Sequence, residues 1–103
     1  MDALVPPDQI DNVAHRFRLL GEPVRLRLLN LLHEHGEMTV GDLVDATGQR
    51  QANVSKHLSR MAEAGLLARR REGVYVHYAV SDPTLSALCL LVSTQLREQE
   101  PPS

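Results

Sequence analysis

Between Gln49 and Arg60 the chain gathers side chains that donate and accept hydrogen bonds at their tips: Gln49, Arg50, Gln51, Asn53, Ser55, Lys56 and Arg60. A carboxamide can bond adenine through two atoms at once, and a lysine or arginine can donate to guanine. Shortly afterwards Arg69, Arg70 and Arg71 form a basic run of the kind that neutralises phosphates. These residue types recognise an anionic polymer with readable edges. No hydrolase triad, phosphate-cradling glycine loop or pair of catalytic carboxylates stands out, so the chain reads as a binding protein and not as an enzyme.

The formal net charge of −2 conceals a segregation. Residues 1–48 hold four arginines against eight acidic side chains, a balance of −4. Residues 49–72 balance at +4 and residues 73–103 at −2. One positive segment on a negative body suggests an oriented contact with a polyanion, against the alternative of a solvated charge run. With the helix-turn-helix read below, double-stranded DNA is the expected partner.

At 103 residues the chain is the size of one small domain. It divides into a flexible N-terminus (1–7), a domain (8–98) and a disordered tail (99–103). No apolar run approaches the ~20 residues that span a membrane. The start, MDALVPPDQ, has neither the basic nor the apolar region of a signal peptide. Cys89 is the single cysteine, so no internal disulfide forms. Together these features give the expectation of a cytoplasmic protein without membrane contact.

The elements that must position the reactive stretch follow from periodicity. Ile10, Val13, Ala14, Phe17 and Leu20 fall at helical spacing, predicting a first helix from near Asp8 to Gly21. Pro23 opens a second, and Val24, Leu26, Leu28, Leu29, Leu31 and Leu32 make it apolar on most of its circumference. Thr39 and Asp42 fit a capping box that starts a short third helix, which Gly48 closes. A fourth helix follows across a few residues, the spacing of a helix-turn-helix. Its apolar stripe is Val54, Leu58 and Met61, with Lys56 nearly opposite, His57 at the core edge and Gly65 as its stop. Two β-rich runs bracket Glu72-Gly73 as a hairpin, and Ser81-Asp82-Pro83 starts a last helix with Ser81 as its cap. Leu85 to Val92 is apolar almost all round, which predicts one face against the chain's own core and one against a second copy. The fold class is therefore mainly α with a small β-hairpin: a winged helix-turn-helix with an extra helix at each end. In that fold the front of the fourth helix meets bases while Thr39 offers a hydroxyl and N–H groups to a phosphate. Arg60, Arg70 and Arg71 take phosphates or the minor groove. The competing reading is a winged helix used as a protein-interaction module, whose outward face would more often be acidic or apolar.

"LGEPVRLRLLNLL" (residues 20–32), "QANVSKHLSRMAEAGLL" (residues 51–67) and "RRREGVYVHYAV" (residues 69–80) resemble the opening, recognition helix and wing of the ArsR/SmtB family of bacterial dimeric repressors. The resemblance spans roughly residues 10–96. It implies a homodimer on a pseudo-palindromic operator, paired through its first and last helices. The apolar candidates for that seam are Ile10, Val13, Phe17, Leu85, Leu88, Cys89, Val92 and Leu96. It also implies repression relieved by an inducer. Arg50 stands where the family often has a serine, losing a capping hydroxyl, and Ala52 replaces a polar residue.

The family's metal motifs are not reproduced. The third-helix thiolate motif Cys-x-Cys-Asp is matched by Thr39, Gly41 and Asp42, and the last-helix zinc or nickel positions by Asp82, Thr84, Gln95 and Glu98. Asp11 with His15, and His33 with His35, are weaker candidates for Ni or Zn paired across subunits. An effector protein or a small-molecule inducer is the alternative release signal.

Overall fold

Helix boundaries follow from side chains that satisfy the backbone groups a helix leaves unpaired. The computed structural model describes residues 3–101; the outermost ends of the expected flexible leader and tail, 1–2 and 102–103, lie outside the described residues. A 3-10 turn, Pro7–Gln9, leads into α1 (Ile10–Leu20), so the first α-helix begins two residues after Asp8. Glu22 caps α2 (Pro23–His35), accepting from the Arg25 N–H at 2.8 Å, with Pro23 in the first turn. A short strand absent from the sequence reading, β1 (Glu37–Thr39), comes next. Thr39 then caps α3 (Val40–Thr47) through the expected box: its hydroxyl accepts from the Asp42 N–H, and the Asp42 carboxylate accepts from the Thr39 N–H.

Three residues, 48–50, turn the chain into α4 (Gln51–Glu63). Gly48 takes the left-handed conformation there, with φ of 71°. Any other L-residue would lose about 1–2 kcal/mol at that position. The hairpin of β2 (Leu67–Glu72) and β3 (Tyr75–Val80) turns over Gly73 and Val74. β3 lies in the middle of a three-stranded antiparallel sheet, order β1-β3-β2, with Glu37 opposite Ala79 and Arg70 opposite His77. The last helix, α5 (Pro83–Gln99), is capped by Asp82, which accepts from the Thr84 N–H. Ser81, the expected cap, instead donates its hydroxyl to the Gly65 carbonyl and its N–H to Leu66.

The core joins α2, α3, α4 and the sheet. Leu28, Leu32, Leu43, Val54, Leu58, Met61 and Leu66 are essentially inaccessible, each burial worth about 1.5–3 kcal/mol. The α4 stripe thus faces inward as its spacing predicts. The α1 stripe does not: Leu19 and Leu20 are buried, whereas Ile10, Ala14 and Phe17 lie on the outside of the protomer. Leu26 of α2 is also exposed. On α5, Leu85 is buried in the chain's own core, which corrects its assignment to an intersubunit seam.

One polar link fixes α4 against α1. Arg25 donates its Nε–H to the Leu19 carbonyl at 2.8 Å and one terminal nitrogen to the Arg18 carbonyl at 3.3 Å, placing a cation on the negative end of α1. Its other terminal nitrogen lies 3.4 Å from His57 Nδ1 on α4. Since guanidinium only donates, Nδ1 accepts and the ring is neutral, with Nε2 toward the Glu22 carboxylate at 4.0 Å. Burial lowers the His57 pKa from its ordinary value near 6.5, against the opposing pull of Glu22 and with help from Arg25, Lys56 and Arg60. The unfolded chain therefore takes up this proton first. The stabilisation is complete above about pH 6.5 and is lost as pH falls through the lower folded value. The urea midpoint should drop between about pH 7.5 and 5.5, and drop less in His57→Gln. Superimposable pH profiles for the two proteins would contradict this role.

Candidate nucleic-acid interface

With Val54, Leu58 and Met61 packed inward, the opposite side of α4 presents Gln51, Ala52, Lys56, Ser59 and Arg60, all exposed. Arg50 is the N-cap residue and is exposed, and its side chain makes no cap hydrogen bond. Gln49 and Asn53 are half-buried and bonded to each other, Asn53 Nδ2 donating to Gln49 Oε1 at 3.0 Å. That pair leaves the Asn53 carbonyl oxygen and the Gln49 amide as open functions. Ser55 is half-buried on the flank. The expected reading residues are thus brought together on one helix, divided between a free set (Arg50, Gln51, Lys56, Arg60) and a partly committed set (Gln49, Asn53, Ser55).

Thr39 keeps less to offer than its sequence position suggests. Its backbone N–H and its hydroxyl acceptor function are taken by Asp42 in the capping box, so only the hydroxyl proton remains to donate. The bond from the Thr39 N–H holds the Asp42 carboxyl below its ordinary pKa.

In the wing, strand alternation sorts the arginines. Arg70 lies on the outer face of the sheet, where its guanidinium donates to Glu37 of β1 through Nε and Nη2 and to Glu72 through Nη1 at 2.7 Å. His77 stands between the same carboxylates, 3.4 Å from Glu37 and 3.8 Å from Glu72. Hydrogen bonds from Arg70 lower the pKa of Glu37 and of Glu72 and raise its own. Arg70 is therefore a strut between β1 and the hairpin, less free than Arg71 for the phosphate or minor-groove contact expected of both. Arg69 and Arg71 point to the other face, are exposed, and have no ion-pair partner among the described residues. Arg69, part of the basic run but not among the expected phosphate contacts, is grouped with Arg71 by the period of two along β2.

The metal candidates do not converge. Asp82 caps α5 and binds Arg16 at 2.8 Å, and bonds from the Thr84 hydroxyl and N–H lower its pKa. Asp42 is spent on Thr39. His33 Nδ1 lies 3.3 Å from the Ser86 hydroxyl, and His35 is 4.0 Å from Glu34. No group of three potential ligands forms among the described residues, Asp11, His15 and Glu98 included.

Comparison with known proteins agrees with this geometry. Residues 22–69 match the model of the bacterial regulatory protein, arsR family. A probable mercury resistance operon repressor of Streptomyces lividans is 38% identical over 89 residues, covering 86% of this chain and 70% of that protein. The AntR antimony-specific transcriptional repressor superposes with a TM-score of 0.83 at 31% identity, over 94% of this chain and 87% of that one. A homodimeric winged helix-turn-helix DNA-binding domain from Mycobacterium bovis superposes with a TM-score of 0.80 at 28% identity, covering 98% and 94%. The helix-turn-helix of α3 and α4, the wing and these likenesses lead to one conclusion: the chain belongs to the arsR family of bacterial regulators and is a DNA-binding transcriptional repressor.

Proposed function

We propose that two copies of this chain bind a pseudo-palindromic operator, each placing the front of α4 in a major groove. The observation that carries the proposal is the α4 face itself, where burial of Val54, Leu58 and Met61 leaves Gln51, Lys56 and Arg60 turned outward. Gln51 and Lys56 read base edges, with the open functions of Asn53, Gln49 and Ser55 beside them. Arg50, Arg60, Arg69 and Arg71 neutralise phosphates, and the Thr39 hydroxyl adds one donor. An acidic or apolar face would have favoured the protein-interaction reading, and this face is neither.

The second copy is supported by apolar surface that one protomer leaves uncovered. Phe17 and Ile10 of α1 are exposed, as are Leu90, Leu91, Val92 and Leu96 of α5. Between α1, α2 and α5 runs an apolar groove of about 590 Å3, lined among others by Phe17, Leu26, Leu88, Cys89, Val92 and Leu96. A chain this small gains a needed increment of burial by pairing through it. Leu88 and Cys89 of its lining are half-buried, as is Val13 of α1. The release signal in this reading is an effector protein or a small-molecule inducer, because the ligand sets of metal-sensing relatives are absent. No helix among the described residues is long and apolar enough to cross a membrane, in keeping with a cytoplasmic operator-binding protein.

Three outcomes are expected with a duplex that the wild-type protein selects from a random-sequence pool. Lys56→Ala and Gln51→Ala should each weaken specific binding by about 1–3 kcal/mol in gel shifts; unchanged affinity would remove them from the reading face. In fluorescence anisotropy, Arg71→Gln should flatten the dependence of log K on log salt by about 0.9 per wing, and Arg70→Gln should flatten it less. Equal flattening would return Arg70 to the phosphates. Val92→Glu should run as a monomer in light scattering, where a persisting dimer would move the seam elsewhere.

A further inference from the structure

Residues 1–48 balance at −4, yet three of their four arginines line one concavity. Arg16, Arg18 and Arg25 meet Arg60 of α4 there, with His15 alongside, around about 750 Å3 of open space. Glu63 is the single carboxylate in that lining. Gathering like charges works against folding, so their convergence beside the recognition helix calls for a ligand.

Two of the four guanidiniums are already committed. Arg16 donates to Asp82 at 2.8 Å and to the Ala64 carbonyl at 3.3 Å, and Arg25 is fixed on the end of α1. They form a rigid cationic floor. Arg18 and Arg60 are exposed and pair with no carboxylate among the described residues. Arg18 comes from α1, and Arg60 lies one turn beyond Lys56 on the same face of α4. The concavity therefore continues the reading face, and Glu63 marks where the positive surface ends.

We propose that Arg18 and Arg60 hold a backbone phosphate of duplex DNA in this α1–α4 concavity, at the flank of the bases met by the front of α4. The inference rests on the proposed function and extends its footprint: Arg60 lies nine residues past Gln51, ~14 Å along the helix. A phosphate held there joins the helix that carries apolar surface for a second copy to the helix that reads bases. Operator binding and the relative placement of α1 and α4 then become linked.

The test uses full-length wild-type, Arg18→Gln, Arg18→Lys and Arg27→Gln proteins, each checked by thermal unfolding. They are titrated with the pool-selected duplex between about 50 and 200 mM KCl. Arg18→Gln should flatten the slope of log K against log salt by about 0.9 per protomer, and Arg18→Lys should restore it. Arg27→Gln, which removes the fourth arginine of the same segment outside the concavity, should leave the slope near wild type. A wild-type slope in Arg18→Gln, or equal flattening in Arg27→Gln, overturns the assignment. So does a free-anion result, in which potassium phosphate raises the melting temperature of wild type but not of Arg18→Gln while the DNA slope stays fixed. If Arg18→Gln unfolds, Arg18→Met keeps the apolar stem and gives the same readout. Failure of the wild-type protein to select any duplex would instead sink the proposed function itself.

Discussion

Burial of Val54, Leu58 and Met61 in the core, where α4 packs on α3 and β2, is the constraint from which the interface follows. A helix advances 100° per residue, so a shift of one position would expose these three side chains and turn Lys56 aside. Each carries a transfer cost of about 1.5–3 kcal/mol, enough to exclude that shift against the few kcal/mol by which a small domain is stable. The angular register of the reading face is thus set by apolar packing on the far side of the helix. Polar groups decide how that helix sits relative to its neighbours, and here Arg25 dominates, bonded at once to the end of α1 and to His57 of α4.

The arginines divide their labour accordingly. Arg25, Arg16 and Arg70 are held by carbonyls or carboxylates and serve as struts, Arg16 and Arg70 in ion pairs that exposure and salt weaken. Arg50, Arg69 and Arg71 are exposed without such partners and retain their charge for a polyanion. The surface field is shaped by this division more than by the number of basic residues. A basic run in a sequence overstates the charge that a strand can offer, because carboxylates on the same face of the sheet can capture one cation, as Glu37 and Glu72 capture Arg70.

Local signals were legible and non-local ones were not. The capping box at Thr39, the left-handed Gly48, Pro23 in the first turn of α2 and the α4 stripe each depend on residues a few positions apart, and each appears where the spacing placed it. β1 is three residues long and owes its existence to pairing with Thr39↔His77 and its neighbours, across nearly forty positions. The capture of Arg70 by Glu37 depends on the same pairing. Ser81 and Asp82 were both reasonable caps, and the choice between them was made by the Gly65 carbonyl, which only the tertiary fold brings near. Periodicity identified the apolar stripe on α1, but an apolar face looks the same in sequence whether its own protomer or another molecule covers it.

That last ambiguity bears on regulation. α1 presents Ile10 and Phe17 outward, while its C-terminal end is bonded through Arg25 to the recognition helix and its middle through Arg16 to the start of α5. A molecule that covers the α1 and α5 surface therefore presses on the same element that orients α4. On the proposed function, an inducer with different affinities for two placements of α1 would bias the orientation of α4 without touching Gln51 or Lys56. The required coupling is small, since 1–3 kcal/mol already changes affinity by about 5–150-fold. The Arg25 contacts with the end of α1 and with His57 are the polar link through which such a bias would reach α4.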